Sequence, residues 1–436
     1  MESKNVNTGY LALLTVSITL GSLNGGYQCG VLNSMGEVFQ FIYKWTDQQR
    51  NWYMNMTSSL FIVSGIIAAL SGAFIIKPLG RRGMMLFSNM ISIIGCLIMS
   101  IQSPSCLIIG RLLMGVMLGF FFYLVPIYIR ESVPHQIGGF YGSFHQLLIV
   151  IGIGLAYSLS LFLPMGQDLL LGKYICWRQI LLVPIIISTI QILMFMLVFK
   201  NDTPKSLLLT GWTDQCTVAL KKIYKNESDI QKEIEGYQEE RENQTNADFW
   251  KILASTKKIL AVCLFLAIFQ QLSGCSSLTY FSTQIFKEVL QSQRLASIGT
   301  VVLGLIQIVI TSLSLLIVDR LGRRPLLIFG SAFCGISLAL CGYFYNPNAS
   351  QLHIWRQYSC IGAIALFNIA FSIAQGPVTW TYIGEAIHLK TMPLVVAANF
   401  VTCLLTVSWT LPLIVAIKQW FFYMYAMCMV VYLIVA

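Results

Sequence analysis

Apolar runs of about twenty residues alternate with short polar breaks along most of the chain, the length a helix needs to cross a hydrocarbon core roughly 30 Å thick. The runs fall near 10–32, 57–76, 84–103, 106–129, 142–162 and 180–199, then near 259–286, 298–318, 326–345, 361–387, 393–415 and 421–436. This pattern predicts an all-α polytopic membrane protein with twelve transmembrane helices in two six-helix bundles, residues 1–199 and 259–436. Spans are numbered in that order below. The first run is longer than a signal-peptide core and no small-residue cleavage pattern follows it, so it is expected to remain as span one.

Residues 200–258 break the rhythm. They hold ten of the eighteen acidic residues and ten Lys or Arg, which reads as a connector of short solvated helices on one membrane face rather than a further functional domain. Lysine and arginine are balanced over the short loops, but two tight clusters, Lys77/Arg81/Arg82 and Arg320/Arg323/Arg324, share the connector's side. That side is placed in the cytosol or its equivalent. The clusters are also an internal repeat: "KPLGRRGMM" after span two and "DRLGRRPLL" after span eight stand 242 residues apart. A second echo pairs "VPIYIRE" at the end of span four with "VTWTYIGE" at the end of span ten. Repeated bundles of this kind build many secondary transporters, with the solute site between the halves near the bilayer midplane.

Composition narrows the function further. With 56% hydrophobic and 11% charged residues, water is not the chain's main solvent. The net charge of +10 lies in loops rather than along one helix face, which argues against nucleic acid. Most of the twelve Cys sit inside apolar runs without paired CxxC or His spacing, so no metal site is expected. No cofactor fingerprint appears, and His135, His145, His353 and His388 lack a nucleophile or carboxylate at motif spacing; an enzyme is not expected.

Within the spans no Asp, Glu or Lys sits centrally; Arg111 opens span four, and Glu131 and Glu385 close spans four and ten. Intramembrane charge usually marks ion or proton pathways, so its scarcity points to a neutral solute without proton coupling. The spans instead carry uncharged hydrogen-bonding groups: Gln28, Gln146, Gln270, Gln271, Ser276, Ser277 and Gln307. A carboxamide offers two donors and two lone pairs, which suits the paired hydroxyls of a sugar. Trp380 and Tyr280 add flat apolar faces with a polar tip. The competing reading is interhelical glue, since such side chains often bond across helices in lipid. Arg111, Gly115 and Gly119 form a ladder whose glycines are explained by close helix packing alone.

The motifs "GSLNGGYQCGVLN" in span one, "GRLLMGVMLG" with "VPIYIRE" in span four, "FHQLLIVIGI" in span five, "NDTPKSLLL" after span six, "FQQLSGCSSLTYFS" in span seven, "DRLGRRPLL" and "GPVTWTYIGEA" together resemble the sugar porters of the major facilitator superfamily, nearest in kind to facilitative hexose transporters. The resemblance implies that Gln146, Gln270, Gln271 and Trp380 bind hexose, with Gln307 and Ser276 at positions where Asn is usual. Gln28 stands where proton-coupled relatives carry Asp, which implies facilitated diffusion. It also implies a conformational latch at Arg81, Arg82, Glu131, Arg323, Arg324 and Glu385. Gly138 and Met392 replace two latch arginines, and this predicts a bias toward the inward-facing form. The expected function is facilitative transport of a hexose or similar small neutral sugar by alternating access, a polyol being chemically equivalent at this level. The alternative, motivated by the altered latch and a chain that ends inside span twelve, is a transport-inactive sensor or a structural subunit of a membrane assembly whose partner the residues do not name.

Overall fold

The structure, a computed structural model, describes residues 6–134, 137–163, 176–245, 253, 255–345, 354–387 and 391–435. Nine helices among these residues are long and apolar enough to cross a membrane. One of them, Asp47–Met99, has 53 residues and at 1.5 Å per residue is about 80 Å long, so it holds spans two and three. Span one, Thr8–Gly30, and span twelve, Trp420–Val435, complete the twelve. Spans four, five and six are Pro104–Ser132, Gly138–Ser160 and Cys176–Val198. Spans eight, nine and eleven are Gln293–Leu321, Arg323–Phe344 and Met392–Ile417.

Hydropathy places the outer edges poorly where a helix continues into water. Span two starts at Asp47 rather than near residue 57, because Thr46 caps it: its hydroxyl accepts from Gln49 N and the Gln49 side chain accepts from Thr46 N. The polar first turns of this helix rise above the lipid.

Packing is inverted relative to a soluble bundle. In span three Ser88, Asn89 and Ser92 are fully buried, while Phe87, Met90 and Ile94 are about half exposed to the surroundings, which here are lipid. The buried polar groups knit the first bundle: Asn24 donates to Ser92 and Ser188, Asn89 to Gln191, and Gln191 to the Ser17 and Ile18 carbonyls. The Gly115–Gly119 ladder of span four lies against span two so closely that a Cβ at either position would strike the carbonyl of Phe61 or Gly65. That is the packing role read from the ladder's spacing.

Between spans two and three the helix is broken by Gly80, at φ +69 and ψ 177. Gly322, before span nine, has the same backbone state at φ +80 and ψ 164, so the repeated GRR is a repeat of conformation as well as of letters. This corner of dihedral space is open essentially only to glycine. Asp202 then caps the start of span three, accepting from the backbone N–H of Arg81 and of Arg82, each at 3.0 Å. Gly80→Ala would place a Cβ against Asp202 Oδ2 and force an L residue into that state. It is expected to cost about 1–3 kcal/mol for the backbone alone. The apparent melting temperature of the purified variant checks this, and an unchanged value would refute it.

The connector consists of Pro204–Leu209, Thr213–Ile223 and Glu227–Thr245, short helices as expected, and it is tied to the N-terminal segment by a bridge between Val6 and Tyr224. Burial and the adjacent Glu233 carboxylate, which accepts its hydroxyl at 2.9 Å, push the Tyr224 phenol well above its ordinary range. Tyr224 therefore stays a neutral donor. His135, His353, His388 and residues 246–252 lie outside the described residues.

Candidate functional site

Spans seven and ten are not continuous helices. Span seven runs Lys257–Gln271, unwinds through a left-handed Gly274 at φ +84, and resumes as Cys275–Leu290. Span ten runs Ile354–Ile373, turns, and resumes as Pro377–Ala386. The two breaks meet: Gln270 Nε2 donates to the Gln375 carbonyl at 2.8 Å, so backbone freed in one span is satisfied by the amide of the other. Irregular backbone at membrane depth is tolerated where it lines a site.

Around this junction the structure gathers most of the residues read as sugar contacts. A Cβ on Gly376 would lie 3.5 Å from Gln146 Nε2, which brings span five to the same turn. Trp380 stands one helical turn further along span ten, its ring 6.2 Å from that of Phe122 on span four. Gln271 and Ser276 flank the span-seven break and are hydrogen bonded to each other. Gln307 is buried on span eight, three residues from Gly304, which abuts Tyr157 and Gly154 of span five. Gln146 and Gln307 have no hydrogen bond among the described residues, whereas both amides of span seven are bonded at nitrogen and at oxygen.

Arg111 departs from its expected place at the edge of span four. It lies two turns inside the helix and is completely buried, because span four begins at Pro104. Its guanidinium sits 4.0 Å from the centre of the Phe61 ring and donates through Nη1 to the backbone O and side-chain Oε1 of Gln28, at 3.0 and 3.2 Å. Gln28 is therefore a partner of this arginine. The carboxamide takes the position facing a buried cation, and nothing titratable as a carboxylate stands there.

On the connector face, the first-half latch residues form a closed cluster. Arg81 grips Glu131 through Nε at 2.8 Å and Nη2 at 2.7 Å, a bidentate pair, while Thr203 donates to the same carboxylate at 2.6 Å. Arg82 turns instead to the Phe195 and Phe199 carbonyls that end span six. This is the favourable placement of a cation at a helix C-terminus. In the second half Arg323 and Arg324 open span nine and Glu385 closes span ten; the Glu385 side chain lies outside the described residues.

Two cavities flank the centre. A 930 Å³ cavity on the face opposite the connector is lined by Asn33, Ser34, Glu37, Thr283, Lys287 and others, none of them a predicted sugar contact. Spans one and seven close beneath it through Asn33 to Ser282 at 2.6 Å, Ser34 with Thr283 at 3.1 Å, and an ion pair of Glu37 with Lys287. A 290 Å³ cavity on the connector face is lined by Trp380, His145, Thr381, Arg130 and Gly138. A Cβ at Gly138 meets nothing within 4 Å, so the position of the missing latch arginine is open. Arg130 bonds across the halves to the Ile387 carbonyl at 3.1 Å.

Reading the chain alone missed Asn399 and Gln375. Both are completely or almost completely buried and bond directly to the paired glutamines. Asn399 was detectable as an isolated amide in an apolar run, but its register against span seven was not. The Glu37–Lys287 pair was equally hidden, since 250 residues separate its members.

A family model described as "Sugar (and other) transporter" matches residues 14–436. Facilitated glucose transporter protein 1 of Caenorhabditis elegans is 29% identical over 402 residues, 87% of this chain and 76% of that protein. Hexose transporter 1 of Toxoplasma gondii is 26% identical over 451 residues, 97% and 78%. Among solved structures, the proton:xylose symporter XylE bound to 6-bromo-6-deoxy-D-glucose superposes with a TM-score of 0.83 at 22% identity, over 98% of this chain and 94% of that one. Inward-open XylE from E. coli gives 0.75 at 21%, over 97% and 95%. At such identity the likeness is one of fold.

Proposed function

The chain belongs to the sugar (and other) transporter family, and from that premise we propose that it carries a hexose or similar small neutral sugar down its gradient by alternating access to one central site. It is a multi-pass integral membrane protein. The observation that carries the reading is the junction of the two broken spans, where uncharged amides from spans five and seven and the Trp380 indole converge with no carboxylate among the described residues.

Two bundles, residues 1–199 and 259–436, rock about this junction, with 200–258 as the connector. Sugar hydroxyls bond to Gln146, Gln270, Gln271, Ser276 and Gln307, and a ring face lies on Trp380. Uncoupled movement is supported by the Gln28 carboxamide facing Arg111: a carboxylate there could exchange a proton with each cycle, and an amide cannot. Arg81, Arg82 and Glu131, with Arg323, Arg324 and Glu385 in the second half, hold the connector face in register as the bundles move. The closed bonds of spans one and seven support the expected preference for the inward-facing side.

The purified chain in liposomes is expected to take up labelled glucose or fructose saturably, at a rate indifferent to an imposed proton gradient. Gradient-dependent uptake would overturn the uniport. Saturable uptake of a polyol alone would change the solute. No uptake and no binding would move the assignment to a sensor or a structural subunit.

A further inference from the structure

The amides assigned to the sugar are, in this structure, occupied by a side chain of the protein. Gln271 Nε2 donates to Asn399 Oδ1 at 2.9 Å, and Gln270 Oε1 accepts from Asn399 Nδ2 at 3.1 Å. Asn399 Nδ2 also donates to the Ala267 carbonyl at 2.8 Å, one turn before the span-seven break. Asn399 stands on span eleven and is only 1% exposed, so water does not compete for these bonds. One carboxamide thus offers a donor to one glutamine and an acceptor to the next. Two hydroxyls on neighbouring sugar carbons offer the same pair, one donating and the other accepting.

We propose that Asn399 is an affinity-setting residue of this transporter, an internal stand-in for a vicinal diol that bonds Gln270 and Gln271 until an incoming sugar displaces it. The inference rests on the transport reading above. Its physical content is an exchange: a solute with an adjacent hydroxyl pair replaces both bonds at once, and the net change is small. A solute with a single hydroxyl at that place replaces one bond and strands the other amide in a dry site, at the cost of an unmet buried group. Asn399 therefore lowers affinity for every solute that displaces it, and by the same factor, because the bonds broken belong to the free protein.

Removing the competitor leaves Gln270 Oε1 and Gln271 Nε2 unpaired until sugar arrives. The expected result for Asn399→Ala in liposomes is a fall in KM for glucose of about three- to tenfold, the worth of one net hydrogen bond or a little more, with kcat changed less. The same fold fall is expected for each monodeoxyglucose that displaces Asn399, because the bonds broken belong to the free protein. The melting temperature without sugar is expected to fall, and the rise on adding sugar to grow. Asn399→Leu, which keeps the branched heavy-atom shape, makes the same test without opening a cavity.

A raised KM in both variants would mean that Asn399 positions the glutamines for sugar, and would overturn the proposal. An unchanged KM for glucose would overturn it too. If the unmodified protein neither binds nor moves any hexose, the transport reading itself fails, which is a different outcome from a working transporter indifferent to residue 399.

Discussion

Gln270→Ala is expected to reduce kcat/KM for hexose uptake by about 30- to 100-fold, two lost hydrogen bonds at roughly 1–1.5 kcal/mol each. The residue ties three spans together: its own, span ten through the Gln375 carbonyl, and span eleven through Asn399. Truncation removes a sugar contact and also leaves the Gln375 carbonyl unmet at a helix break. Both effects act on the same junction. Trp380→Ala, which removes a flat face but no recorded hydrogen bond, is expected to lose less, about tenfold. Initial uptake rates over a range of sugar concentrations in liposomes give both numbers. Variants that matched the parent for every tested hexose would remove these residues from the site.

The second large effect is expected at Glu131, far from the solute. Its side chain is 1% exposed and accepts from both Arg81 nitrogens and from Thr203, while Arg81 itself is 17% exposed. Deleting one partner of such a pair leaves the other charge desolvated, which costs about 3–5 kcal/mol in buried pairs. Glu131→Ala is therefore expected to melt well below the parent, and Glu131→Gln, which keeps the shape and can still accept from Arg81, to lie between them. Equal melting of all three would show that the cluster is not holding the connector face. If the cluster also works as a latch, Glu131→Gln will slow uptake more than its stability loss explains.

The asymmetry between the halves follows from the same residues. The first half has a cluster of Arg81, Arg82, Glu131 and Asp202, whereas Gly138, read from the sequence as a lost latch position, has open space around it. Arg130 contributes a bond to the Ile387 carbonyl there, but a carbonyl carries only a partial charge and holds less than a carboxylate. The opposite face instead has a full ion pair, Glu37 with Lys287, over a row of hydroxyl and amide bonds.

What the sequence alone determined is what repeats or what lipid forbids. Runs of twenty apolar residues have no alternative to helix in a bilayer, since every backbone group must be satisfied within the span. The count of spans, the solvated connector and the two GRR breaks followed from that. The expectation of a neutral site came the same way, because a missing central carboxylate is visible as a missing letter. Only the tertiary structure decided which protein groups each amide bonds to. Gln28 belonged to Arg111, Gln191 to the Ser17 and Ile18 carbonyls, and Gln270 and Gln271 to Asn399, although all four glutamines read alike along the chain. The reason is geometric. In hydrocarbon, glue and recognition use the same side chains, and the partner is chosen by the rotation and depth of helices 83 or more residues apart, neither of which hydropathy encodes.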